Sequence, residues 1–283
     1  VFKMKILNIK VLVILLTALT LNSYLIGQSV PQRNSDLLNE TNQYVKRVNI
    51  DEGRVANKNL LNSFIELAIK DNWYNEIKFW TSAQWGIKES NENIAKQYEL
   101  NGKDLTTDGF DKRPKKITDD ELLGVKYDGS NDYTSNSDVT VQNHFSLLMV
   151  FKANETVNEN ILIDSKGNKK LAVSIEKNKD GVAELVVRTA GEVYIKGIKS
   201  GINILYIEFN TKNSRVFVNG DLVYSGVIGK SEIDGLVIGR GSIKNSTVNF
   251  NGVMYETGII NNIISDEART NLLSMIKQVY KIQ

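Results

Sequence analysis

The sequence predicts a mainly β protein, an antiparallel sandwich with a helical segment ahead of it and one helix behind it. Three observations carry this reading. Residues 125–260 hold many short apolar runs separated by turns rich in Gly, Asn and Asp, the pattern of an antiparallel sandwich. Phe145 to Phe151 (FSLLMVF) is apolar throughout, as a strand buried on both faces must be. Residues 204–224 read as a meander, in which Asn219-Gly220 between Val-Phe-Val and Leu-Val-Tyr supplies the positive φ angles of a tight hairpin.

In chain order, residues 1–28 read as a signal peptide. Lys3, Lys5 and Lys10 precede the uncharged run Val11 to Leu21, and Gly27-Gln28-Ser29 offers small residues for cleavage. The run is shorter than the ~20 apolar residues of a spanning helix and contains Asn22 and Ser23, which argues against a permanent anchor. Residues 29–58 are polar and read as a linker or a frayed helix. Residues 59–95 read as a helical segment. Leu61, Phe64, Ile65 and Ala68 lie at i, i+3, i+4 and i+7, Asp71-Asn72 interrupts, and Trp73, Ile77 and Trp80 continue at near-helical spacing as a second short helix. Trp73, Trp80 and Trp85 could line a sugar platform, but such clusters more often pack a helix onto a sheet.

Residues 96–283 read as the sandwich with its terminal helix. Lys96 to Leu100 is a short strand before an Asn101-Gly102 turn, and Asp111 to Lys116 (DKRPKK) is a charged loop, read as solvated rather than as a basic contact patch. Strands are expected at 161–163, 171–175, 183–188, 192–195, 236–240 and 250–260, besides those of the meander. The closing helix, 265–281, has Ser265 as N-cap, Asp266 and Glu267 in its first turn, and Ala268, Leu272, Met275, Ile276 and Val279 on its apolar face.

The 283 residues include 35 Lys+Arg against 33 Asp+Glu, a net charge of +2 that gives no support to nucleic-acid binding. There is no cysteine, so disulfides, thiol nucleophiles and Cys-based zinc sites are excluded. With the export signal, this points to a secreted or cell-envelope protein, or to a virion component.

The order of motifs carries a family resemblance. The turn Tyr127-Asp128-Gly129-Ser130-Asn131-Asp132-Tyr133 is followed by the buried run 145–151, then Val216-Phe217-Val218-Asn219-Gly220, then Leu236-Val237-Ile238-Gly239-Arg240. Phe250-Asn251-Gly252-Val253-Met254-Tyr255-Glu256 and Ile264-Ser265-Asp266-Glu267 close the series. This order resembles the concanavalin A-like lectin/glucanase superfamily, in particular the laminin-G-like jelly-roll modules of bacterial surface and phage structural proteins. The resemblance covers about residues 96–283. It implies two twisted sheets packed face to face, with glycans or proteins recognised on the concave face or the loops.

The superfamily also contains glycoside hydrolases, so carboxylate pairs matter. The best match to the glucanase pattern E-x-D-x-x-E is Glu232-Ile233-Asp234-Gly235-Leu236-Val237. It lacks the final carboxylate, where Val237 stands, and reads as a polar turn. His144 has no nucleophile or orienting partner nearby in sequence and reads as a strand-edge residue. Asp128, Asn131 and Asp132 crowd oxygen donors into one turn, which makes calcium the one cofactor candidate, although Asx-rich turns also stabilise their own backbone. No motif requires a cofactor. The expected function is therefore a secreted, non-enzymatic recognition module that binds a surface glycan or protein, without nucleic acid. The alternatives are an oligomeric structural subunit of a surface appendage or virion, and a divergent polysaccharide hydrolase or lyase.

Overall fold

The computed structural model describes residues 37–142, 144–154, 159–166, 171–229, 231–241 and 248–282; the signal-peptide expectation for 1–28 lies outside them. The body described here begins at Leu38. It opens with helix α1 (Asn39–Ile50) and helix α2 (Lys58–Lys70). The strands follow as β1 (Ile77–Ser82), β2 (Ile87–Ser90), β3 (Asn93–Gln97), β4 (Leu105–Thr106), β5 (Lys115–Asp119) and β6 (Leu122–Asp128). Next come β7 (Thr134–Gln142), β8 (Phe145–Ala153), β9 (Glu159–Ser165), β10 (Ala172–Lys177), β11 (Ala183–Arg188) and β12 (Glu192–Ile195). The chain ends with β13 (Ile202–Phe209), β14 (Ser214–Val218), β15 (Asp221–Gly226), β16 (Glu232–Ile238), β17 (Asn251–Ile260) and helix α3 (Asp266–Val279).

Among the described residues all the strand pairs are antiparallel. One arm of the sheet runs β15–β14–β13–β8–β17, and the other edge of β17 is shared between β6 at its start and β1 at its end. The second arm runs β12–β11–β10–β9–β16–β7–β4–β3–β2. β5 pairs along β6 and meets β3 at Asn93↔Lys115, which joins the arms into one hydrogen-bonded network. The mainly β, antiparallel architecture read from the sequence is present.

Strand β8 lies between β13 and β17. Phe145, Leu147, Met149 and Phe151 point into a core shared with Val139, Leu162, Val173, Leu185 and Leu236 from the other arm. Leu148 and Val150 point the opposite way, into a second core filled by the helices. The Asn219-Gly220 hairpin forms as expected, with φ of 52° and 87°. Helix α3 is capped by Ser265, whose Oγ accepts from the Ala268 N–H at 3.1 Å.

Two expectations ahead of the sheet are corrected. The segment read as a linker or a frayed helix contains the regular helix α1, because Thr41, Tyr44, Val45 and Val48 fall on one buried stripe of an otherwise polar sequence. The Asn62 side chain of α2 takes over its start, accepting from Leu38 N–H at 2.8 Å and Thr41 Oγ1 at 2.9 Å. The second short helix is instead a single 3₁₀ turn, Tyr74–Glu76, followed by β1, and β2 and β3 also fall inside the segment read as helical. Long-range pairing with β17 overrides the local periodicity there.

Trp80 on β1 ties the second core together. Phe64 of α2 packs between Trp73, Trp80 and Trp85, with ring centroids 5.5, 4.6 and 4.6 Å away. All three tryptophans are buried, so they pack the helix on the sheet and offer no sugar platform. The indole of Trp80 lies flat against Gly258 of β17, where a Cβ would come within 2.4 Å of the ring. Its Nε1–H donates to the Glu256 carboxyl at 2.6 Å, and Tyr280 O–H at the end of α3 reaches the same carboxyl at 2.9 Å. Burial outweighs these two bonds and raises the Glu256 pKa from 4.5 to about 7.

Two outcomes follow from this packing. The folded state holds the Glu256 proton more tightly than the unfolded chain, so its contribution to stability is complete below about pH 4.5 and is lost as pH rises through about 7. Denaturant unfolding should show a loss of about 3 kcal/mol over that range from this group, and Glu256→Gln should flatten that part of the curve. Gly258→Ala forces a Cβ into the Trp80 ring and should destabilise the protein by about 1–3 kcal/mol in the same assay.

Candidate functional site

The turn singled out in the sequence, 128–133, joins β6 to β7. Asp128 closes β6 and is exposed; Asp132 is buried. The turn is held rigidly. Asp128 Oδ1 accepts from Ser130 N–H at 2.7 Å and from Asn131 N–H at 3.3 Å. Asp132 Oδ2 accepts from Asp128 N–H at 3.1 Å. Gly129 takes φ of 80°, where a side chain would strike Asn251.

A second segment is laced to this turn through Tyr133. Its O–H donates to Asp108 at 2.8 Å, its N–H to Lys112 O at 3.1 Å, and its carbonyl accepts from Thr107 Oγ1 at 2.6 Å. The Arg240 guanidinium covers its ring at 4.1 Å. The charged loop read as solvated is thereby placed as a wall, and a groove of about 320 Å³ opens between it and the turn. Asp111, Asp128 and Asp132 supply carboxyl groups to this groove, and Phe110 supplies an aromatic ring that is 51% exposed. Arg113, Lys115 and Lys126 line it as cations.

Electrostatics separates the two acids of the turn. Burial, reinforced by the negative charge of Asp128, raises the Asp132 pKa from 3.8 to about 6, against smaller opposing effects of the Asp128 N–H and Lys115. A buried carboxyl that holds its proton to about pH 6 can donate that proton to a bound molecule near neutral pH.

The other residues singled out in the sequence lie elsewhere. Glu232 and Asp234 are on β16, opposite Gln142 and Thr140, and do not line the groove; Val237 is buried. His144 is exposed between β7 and β8, also outside the groove. Of the calcium candidates, Asp128 and Asp132 use carboxyl oxygens to accept backbone N–H groups of the turn itself, that of Asn131 among them. Among the described residues, no group of three or more His, Cys, Asp or Glu could hold a metal ion. Sequence reasoning passed over Phe110; the available signal was an aromatic residue between Gly109 and Asp111 in a charged loop. A larger groove of about 390 Å³ is lined by the adjacent acids Asp119 and Asp120, with Lys152 and Tyr280, but there Asp119 is bound to Lys152 at 2.9 Å. No helix among the described residues is long and apolar enough to cross a membrane.

No family model and no curated protein matches the sequence. Solved structures do match the fold. An arabinofuranosidase complexed with arabinofuranosyl-α-1,2-xylobiose aligns with a TM-score of 0.52 at 14% identity, over 66% of this chain and 51% of that one. A GH54 α-L-arabinofuranosidase soaked with a cyclic sulfate inhibitor aligns at 0.53 and 12%, over 66% and 51%. Trypanosoma rangeli sialidase in complex with sialic acid aligns at 0.53 and 12%, over 78% of this chain and 38% of that one. The chain thus spans about half the length of the arabinofuranosidases and less of the sialidase. At such identities the likeness shows the fold. It tells against the expectation of a non-enzymatic recognition module, because the three proteins aligned here are glycoside hydrolases.

The groove's electrostatics can be read directly. Carboxyl carbon shifts followed by NMR should titrate Asp132 with a midpoint near 6, and Asp128→Asn should lower that midpoint by removing the neighbouring negative charge.

Proposed function

We propose that the chain is a divergent glycoside hydrolase that cleaves a polysaccharide, with its active site in the groove beside the 128–133 turn. The observation that carries this reading is the acid pair: a buried Asp132 carboxyl with its pKa raised to about 6 beside the exposed Asp128. Glycosidic cleavage uses one carboxylic acid to protonate the leaving oxygen and a second carboxylate to assist attack at the anomeric carbon. Asp132 takes the first role. Asp128 takes the second, as base toward water or as nucleophile. Phe110 offers an apolar ring for the face of a sugar. The absent carboxylate at Val237 removes only the glucanase-like pattern on β16 and leaves this pair untouched.

The two arms of the sheet, with cores on both faces of β8, support a jelly-roll sandwich of the concanavalin A-like type, and the motif order supports a laminin-G-like variant of it. We place the protein outside the cell, on the reading of residues 1–28 as an export signal.

The test is release of sugar. The mature protein, incubated with arabinan, arabinoxylan, sialylated glycans and acidic polysaccharides, should produce new reducing ends, at a rate that declines as pH rises past about 6, where Asp132 loses its proton. Asp132→Asn should lower the rate by roughly 10²–10⁴-fold with the fold intact by circular dichroism. A folded protein that releases nothing from any of these polymers overturns the reading.

A further inference from the structure

We infer that the glycan taken by this groove carries fixed negative charge, as sugar carboxylates or sulfate esters. The inference deepens the hydrolase reading and rests on it for the identity of the site.

The argument begins with strand register. β5 and β6 pair so that Lys115 stands directly opposite Lys126. Both side chains are exposed, and both line the groove. Like charges directly opposite one another in an antiparallel pair repel and weaken the pair. Arg113 stands two residues before Lys115, its guanidinium 5.2 Å from the Phe110 ring centroid. Its Nε is buried with no hydrogen-bond partner among the described residues.

None of these three cations forms an ion pair among the described residues, although three acids line the same groove. Two neighbouring cations of the sheet are matched: Lys116, the next residue on β5, meets Glu89 at 2.7 Å, and Lys152 meets Asp119 at 2.9 Å. Two of the three acids of the groove have other work. Asp128 Oδ1 and Asp132 Oδ2 accept from backbone N–H groups of their own turn. Asp132 is uncharged below about pH 6, so the cations of the groove outnumber its charged acids under the conditions in which the acid can act.

An anionic sugar answers each of these features. Its charge relieves the Lys115–Lys126 repulsion, a planar guanidinium suits a carboxylate or sulfate, and its ring lies against Phe110. A neutral sugar would satisfy the aromatic ring and leave the repulsion standing.

The experiment measures binding by calorimetry on the mature protein, independently of release. The probes are polygalacturonate, dextran sulfate, neutral arabinan and neutral dextran, at about 50 mM and about 300 mM salt. The expected result is that one or both acidic polymers bind about tenfold or more tighter than the neutral ones, with the advantage shrinking at the higher salt. The acidic polymer preferred names the anion. The double variant Lys115→Gln, Lys126→Gln should lose that advantage while melting no lower than the unaltered protein, since the repulsion is gone. Equal affinity for neutral and acidic polymers overturns the inference. So does an equal loss when two exposed lysines outside the groove lining, Lys46 and Lys212, are changed to Gln, because the attraction would then be diffuse. Sugar release from neutral polymers alone would overturn this inference and leave the hydrolase standing. Tight, salt-sensitive binding of an acidic polymer without release would do the reverse.

Discussion

From Phe145 to Phe151 strand β8 is buried on both faces. Its odd-numbered residues, Phe145 to Phe151, fill the core between the two arms of the sheet, and Leu148 and Val150 fill the core beneath the helices. A strand of this kind must be covered twice, and the rest of the chain is arranged to do so. β13 and β17 flank it and satisfy its backbone, the second arm closes over one side, and α2 and α3 close over the other. Exposing either face would return several large side chains to water, at roughly 1.5–3 kcal/mol each.

The helical cover is fastened by buried polar groups as well as by apolar contact. Trp80 is held at both ends: its backbone N–H donates to Glu99, whose other oxygen accepts from Asn101 and Lys103, and its indole donates to Glu256. Tyr280 brings the end of α3 to the same Glu256. The start of α3 is fixed by Glu208 of β13, which receives Arg215 and Arg269, with the Arg269 guanidinium 4.3 Å from the Phe217 ring centroid. Asp266 joins both arginines, and their hydrogen bonds, reinforced by their charges, lower its pKa to about 2. These bonds give α3 one position on the sheet, where apolar packing alone would tolerate sliding.

The groove depends on this scaffold indirectly. β6 is fixed along the first half of β17, and β5 along β6, so the Asp128 turn and the cations of β5 have definite places. The wall opposite is a loop, but Tyr133 binds it to the turn through three hydrogen bonds and carries the Arg240 guanidinium on its ring. Acid, carboxylate, aromatic ring and cations are therefore positioned before any ligand arrives, which keeps the cost of ordering them out of binding.

Much of the architecture was legible in the sequence, because it rests on local pattern. The apolar run of β8, the Asn219-Gly220 turn and the Ser265 cap each act over a few residues, and each appears where it was expected. The 128–132 turn was also visible as an Asx-rich segment. What failed were the elements decided by distant partners. The segment from Ile77 has near-helical spacing and becomes β1 because β17 offers it an edge. α1 looks polar until Asn62 and the aromatic core supply its buried side. The chemistry of the groove belongs to the same class. Nothing in the order of residues shows that Asp132 is buried while Asp128 is exposed, that Lys115 faces Lys126 across two strands, or that Phe110 stands open beside them. The sequence by itself determined the strands, the turns and the closing helix, since these follow from side-chain period and backbone preference. Only the tertiary structure decided which acid keeps its proton and which charges meet, because desolvation and Coulomb interaction depend on distances between residues that the chain order leaves apart.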